Sequence, residues 1–331
     1  MAWRRTPRWA YAALAASLSA SLRLGAQWSA KLVVRPVDGQ RLAAQSSGGD
    51  GADGGSFQRL RRVGADRVAE YGFTNFRQDR LDVVYRVSDA YFRRYNSEYG
   101  YRTEDIKALQ EWRDRATRDS YRQAVKDGKD QAFVNAAAAA IEAQYRKKER
   151  DYLESRGFVL ENDNTTRVDM PAVVRRNGPL LQPLAETFDR IATSRGYRSM
   201  DIIGSVLSYV QTAVVYRQPQ AVYKDKHTGG ILPPLATVVL GWGDCDTKTA
   251  LTASLLSNWA QMRMVGISVP GHYLMAVLQI PDKGDMYVEY KGLQYVLLEP
   301  AGPAWLPPGR VADETVAQLN GSDGYRIYPF F

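Results

Sequence analysis

Apolar positions along this chain change their spacing several times, and the changes mark its organisation. From about residue 80, Leu81, Val84, Tyr85, Tyr91, Phe92 and Tyr95 recur at helical intervals and predict helix. Thr103 followed by Glu104 and Asp105 predicts a helix start, with a capping hydroxyl and acids facing the positive helix end. That helix runs to about Val125 and breaks at Asp127-Gly128. A second, over about 131–156, carries Ala136 to Ala140 and stops at Gly157, a left-handed cap. The pair predicts a long helical hairpin. Short extended pieces follow near 158–160 and 166–168. Pro171 then opens a helix to about Thr193, and Ser199 with Asp201 introduces another through about Val215. Residues 216–240, with Gly229-Gly230 and Pro233-Pro234, are loop-rich.

From Cys245 to about Gln261 the helical period returns through Ala250, Leu251, Ala253, Leu255, Leu256 and Trp259. Strands follow at Met264–Val269 and His272–Ile280. Tyr287–Tyr290 and Leu293–Leu298 form a hairpin around Lys291-Gly292. The pattern predicts an α+β fold. A helical region (57–195) precedes a second domain (196–331), in which a Cys-bearing helix packs on an antiparallel sheet.

Composition narrows the function classes. The 331 residues hold 44 Lys+Arg against 36 Asp+Glu, a net +8. Much of the excess is arginine in the first half. There is no zinc-finger spacing, aromatic RNA-binding string or dense basic block. The charge therefore reads as a solvated surface, and no specific nucleic-acid partner is expected. One cysteine excludes an intrachain disulfide framework, and two histidines leave little for a zinc centre. Neither a cofactor nor a metal is expected.

Residues 1–26 read as a signal peptide: Arg4, Arg5 and Arg8 precede the mostly apolar run from Trp9 to Leu22, too short to span a bilayer comfortably. Export to a bacterial periplasm or cell surface is expected, with an organelle transit peptide as the alternative. Residues 27–56, ending in the Gly/Ser/Asp-rich stretch 46–56, read as a flexible linker. A lone cysteine kept in an exported chain is open to oxidation, which suggests use; the alternative is a small buried hydrophobe.

Cys245 stands at a helix start after Gly243-Asp244. His272 opens a strand 27 residues later, and Glu299 closes another strand 27 beyond that. A helix N-terminus and an imidazole each favour the thiolate. A carboxylate on the far imidazole nitrogen would fix the tautomer and stabilise the imidazolium. Each residue also has a plainer reading. Cys245 and His272 can be core residues, and Glu299 a strand-end salt-bridge partner. Asp244 is the helix N-cap, and Asp246 a first-turn acid. Trp242 lines an acyl-binding groove or packs beneath the loop. His227, within Lys224-Asp225-Lys226-His227-Thr228, reads as a solvated loop residue.

The chain resembles the transglutaminase-like superfamily, relatives of papain-fold cysteine peptidases, over roughly residues 200–312. The resemblance rests on Pro234, Gly241-Trp242-Gly243-Asp244-Cys245-Asp246 and Ala250-Leu251 with Leu255-Leu256. It continues in Val269-Pro270-Gly271-His272-Tyr273-Leu274-Met275-Ala276-Val277 and Tyr295-Val296-Leu297-Leu298-Glu299-Pro300. Thr247 stands where many members carry an acid, and Glu299 replaces a more usual Asp or Asn. The resemblance implies a Cys245/His272/Glu299 triad acting on a peptide bond or glutamine amide, with hydrolysis favoured over cross-linking. It also implies an upstream oxyanion donor, for which Gln211 is the candidate, and a groove containing Trp242 and Tyr273. Helices 104–156 would dock a partner or gate a protein or peptide substrate. The alternative is a non-catalytic scaffold that retains the fold.

Overall fold

Alternation with period two governs residues 80–88: Leu81, Val83 and Tyr85 are buried, while Asp82, Val84 and Arg86 are exposed. This segment is therefore a strand, not the helix its apolar positions suggested. A subset of an alternating pattern also matches helical spacing, so the apolar set alone misled. The computed structural model describes residues 31–33, 55–302, 305–321 and 324–330. Residues 1–26, read from sequence as a signal peptide, lie outside the described residues.

The protein is α+β. Strand β1 (Lys31–Val33) comes first, followed by an antiparallel meander of β2 (Phe57–Val63), β3 (Asp66–Thr74) and β4 (Arg80–Ser88). The region 57–195 is thus not wholly helical. Next come α1 (Asp89–Glu98), β5 (Tyr101–Arg102) and the expected hairpin of α2 (Thr103–Lys126) and α3 (Gln131–Ser155). Strands β6 (Phe158–Leu160) and β7 (Thr166–Val168) pair with each other. The helix expected from Pro171 to Thr193 is split at Gly178-Pro179 into α4 (Met170–Asn177) and α5 (Gln182–Arg195), joined by a short 3-10 turn. Then α6 (Ser199–Thr212), β8 (Val215–Tyr216), β9 (Val222–Tyr223), β10 (Lys226–His227), α7 (Pro234–Leu240) and β11 (Trp242–Gly243) lead to α8 (Cys245–Leu256). Strands β12 (Met264–Val269), β13 (His272–Leu278), β14 (Tyr287–Tyr290) and β15 (Leu293–Leu298), helix α9 (Asp313–Leu319) and β16 (Arg326–Pro329) complete the order.

The six-stranded sheet runs β1-β14-β15-β13-β12-β16 and is antiparallel throughout. Residues 31–33 fall within the stretch read as linker, yet pair with 287–289. They cover backbone groups that would otherwise form an open edge on β14. Turn chemistry fixes the site's register. Val269 pairs with His272 across Pro270-Gly271, where proline presets the first turn position and Gly271, at φ 73°, supplies the second.

Helix α8 is buried on nearly every side, from Thr247 to Leu256, between α4, α6, α7 and β13. Its hydroxyls are satisfied locally: Thr249 Oγ1 donates to the Tyr273 carbonyl at 3.1 Å, and Thr252 Oγ1 to the Lys248 carbonyl at 2.9 Å. One apolar cluster joins β3, β4, α4–α8, β13 and β15. That cluster holds residues on both sides of the expected division at 195/196, and Gly196 is the left-handed cap of α5. The α2–α3 hairpin stands apart as an arm. Only Ala124 is buried on α2, and Tyr145, Glu149 and Leu153 on α3. No described helix is long and apolar enough to cross a membrane.

Candidate active site

Cys245 is the first residue of α8, and Asp244 caps the helix by accepting from the Thr247 amide at 3.1 Å. Helix geometry leaves the Cys245 and Asp246 amides without intrahelical acceptors. Thr249, one turn on, is tied to the Tyr273 carbonyl. Residues four apart share a helix face, so this tie brings Cys245 beside His272, the first residue of β13.

Antiparallel pairing supplies the third group. Met275 lies opposite Leu298, so the residue after β15 reaches the start of β13. Glu299, only 3% exposed, accepts from His272 Nε2 at 2.9 Å through Oε1. Its Oε2 accepts from Thr315 Oγ1 at 2.8 Å. The Cys245 side chain lies near enough to the His272 ring to raise its pKa. With Nε2 engaged by Glu299, Nδ1 is the nitrogen left for sulfur. Burial pulls the His272 pKa down, but Cys245 and the Glu299 hydrogen bond and charge outweigh it and hold it at about 10. The imidazole is an imidazolium at neutral pH. All three residues singled out in sequence meet here.

Gln211 is not free for the oxyanion. Its Nε2 donates to the carbonyls of Glu299 (2.8 Å) and Leu306 (3.0 Å), while its Oε1 accepts from the Leu306 amide at 3.1 Å. Both amide hydrogens are committed to the backbone, so Gln211 clamps the segment that presents Glu299. Trp242 is half-buried, with the Arg217 guanidinium 4.6 Å from its ring centre. It does not line the neighbouring cavity. Tyr273 does line it. Its ring fits over Gly266, where any Cβ would stand 2.1 Å from the phenol oxygen.

His227 is no free loop residue. Its ring stacks on Tyr101, with centres 4.7 Å apart, and Nε2 meets Thr103 Oγ1 at 2.9 Å. The Thr103 hydroxyl is thus not the cap of α2; the N-cap position is Arg102, which has no side-chain cap bond.

Sequence reasoning missed Thr315, Tyr216 and Lys248. Thr315 carries no local signal, because its partner lies in a distant strand. The Tyr216 phenol is raised above its usual pKa, first by burial and then by the charges of Cys245, Asp244, Asp246 and Glu299, and its backbone pairs with Gly243 just before the Cys245 helix. Lys248 follows Cys245 by three residues and is wholly buried, with Nζ 3.5 Å from the Gln211 carbonyl. Burial lowers its pKa to about 7. A depressed lysine pKa means the fold favours the neutral amine, so stability falls as pH drops from the ordinary lysine value of 10.5 toward about 7 and levels off below it. Lys248→Met should therefore raise stability by ~2 kcal/mol at pH 6, and less at pH 8. Denaturant melts at both pH values check this; a variant less stable at pH 6 refutes it.

Asp244, Cys245 and Asp246 place their side-chain ligand atoms within 4.8 Å of one another, the one such trio among the described residues. Asp244 already spends an oxygen on capping α8, and the trio contains no imidazole. No protein-family model, curated protein or solved structure matches this chain.

Proposed function

We propose that this protein is a thiol-dependent acyl-transfer enzyme of transglutaminase-like type, acting as a peptidase or amidase. One observation carries the reading: the His272 imidazole is bound through Nε2 to the buried Glu299 carboxylate, with Cys245 near enough to raise its pKa. In this reading the Cys245 thiolate attacks an amide carbonyl. The Cys245 and Asp246 amides at the helix start face the developing oxyanion. As the C–N bond breaks, the leaving amine takes a proton from His272. Water, deprotonated by His272, then cleaves the thioester, releasing the acid and regenerating the thiolate beside the imidazolium. Glu299 orients the ring and stabilises its charge, and Thr315 and Gln211 position Glu299. Hydrolysis is favoured over transfer to an amine because Cys245 is partly exposed rather than sealed from water.

Alkylation tests this reading directly. Iodoacetamide should label Cys245 rapidly at neutral pH, and His272→Ala should slow labelling at least ~10-fold. Slow labelling indifferent to His272 would favour a non-catalytic scaffold.

A further inference from the structure

Next to Asp246, the neighbour of Cys245, lies a cavity of about 440 Å³ whose mixed walls include the aromatic rings of Tyr101, Phe158, Tyr273 and Tyr328 and the apolar Val168. Tyr101 meets Phe158 edge-on at 5.0 Å, and Tyr273 stacks with Tyr328 at 6.4 Å. Tyr273 is 6% exposed, and its hydroxyl has no hydrogen-bond partner among the described residues. Arg167 also lines the space, but its guanidinium is paired with Glu161 and lies on the Tyr328 ring. His227 is held by Thr103 and Tyr101. The nearby Asp169 caps α4 through the Ala172 amide.

Asp246 differs from these. No hydrogen bond from a described residue reaches its carboxylate, which lies within 4.8 Å of the Cys245 sulfur. Burial and the Asp244 charge raise its pKa to about 6, so it is mostly ionised at neutral pH and lacks a cation of its own apart from the influence of His272. A site with an unpaired carboxylate this close to the attacking atom suits an ammonium group close to the attacked carbonyl. The α-nitrogen of an amino acid lies ~2.5 Å from its own carbonyl carbon, from ordinary bond lengths and angles. A lysine side-chain ammonium lies much farther away.

We infer that the cavity and Asp246 together recognise the free amino-terminal residue of a peptide, Asp246 taking the α-ammonium and the aromatic walls taking an apolar or aromatic side chain. The inference rests on the acyl-transfer reading and names its substrate class. Attack by Cys245 at that residue's carbonyl forms the thioester and breaks the first peptide bond. His272 gives its proton to the departing amine, and water releases the first amino acid.

The test uses four chloromethyl ketones: those of phenylalanine and alanine, each with a free and an N-acetylated amine. Mass spectrometry measures Cys245 alkylation in the intact protein, and each rate is divided by that protein's own iodoacetamide rate. The free-amine phenylalanine reagent should exceed its acetylated form by ~10-fold or more, as a charge-assisted hydrogen bond would give. It should also exceed the free-amine alanine reagent. Asp246→Asn and Asp246→Ser should both collapse the amine preference while the phenylalanine preference persists. Equal rates for free and acetylated reagents, or an amine preference that survives both variants, overturn the assignment of Asp246. Indifference between phenylalanine and alanine overturns that of the cavity. These are ratios within one protein, so they read recognition even if slow iodoacetamide labelling has already sunk the catalytic reading.

Discussion

Turnover of an activated peptide amide should fall by ~10⁴-fold or more when Cys245 is replaced by alanine, and His272→Ala should come close to the same loss. The two residues act on one bond in sequence. Without sulfur there is no acyl intermediate, and without imidazole there is no proton for the leaving amine. The double variant should therefore be scarcely slower than either single one. Single-turnover measurements on the three variants check this. Additive losses would mean that the residues contribute to separate steps or separate sites. Melting curves should meanwhile stay close to those of the parent for Cys245→Ala, because Cys245 is partly exposed and a smaller side chain leaves no sealed void.

Glu299→Gln should lower turnover by ~10²–10⁴-fold with little change in shape. An amide can still meet Thr315 Oγ1 and His272 Nε2, but it carries no negative charge to hold the imidazolium. The sign of the pH effect follows. His272 is raised from its usual value to about 10, so its contribution to stability is complete below about 6.5 and is lost as pH rises through about 10. Its role as acid fails over the same alkaline range. Removing the Glu299 charge takes away one of the causes of that elevation. The alkaline limb of the turnover profile should then move to lower pH, as should the alkaline fall in stability. An unmoved limb in Glu299→Gln would show that the carboxylate does not act through His272.

Reading the site from sequence worked where the determining interactions are local. Asp244 before Cys245 signals a helix start because a capping acid acts within three residues. Pro270-Gly271 and Lys291-Gly292 signal turns because the needed backbone angles belong to those residues themselves. His272 and Glu299 then fall where the two hairpins end. Reading failed where partners are remote. Gln211 looked like an oxyanion donor, but its carbonyl partners lie 88 and 95 residues away. Nothing near Thr315 or His227 in sequence reveals Glu299 or Tyr101. The meander over 57–88 was missed for a different reason. Central strand β3 is covered on both faces, with Val68, Ala69, Tyr71, Gly72 and Phe73 all buried, so it lacks clean alternation. On β4, Leu81 and Tyr85 happen to be four apart.

The two-helix arm has a mechanical consequence. Its helices, of 24 and 25 residues, extend ~37 Å. One leaves from β5 just after Tyr101, and the other returns through Gly157 to Phe158, so both roots are anchored in rings that meet at 5.0 Å in the wall of the cavity that Asp246 also lines. Rocking the roots by about ten degrees swings the Asp127-Gly128 tip through ~6 Å. By the same leverage, a load borne at the tip arrives at Tyr101 and Phe158 as torque, multiplied by the full length of the beam.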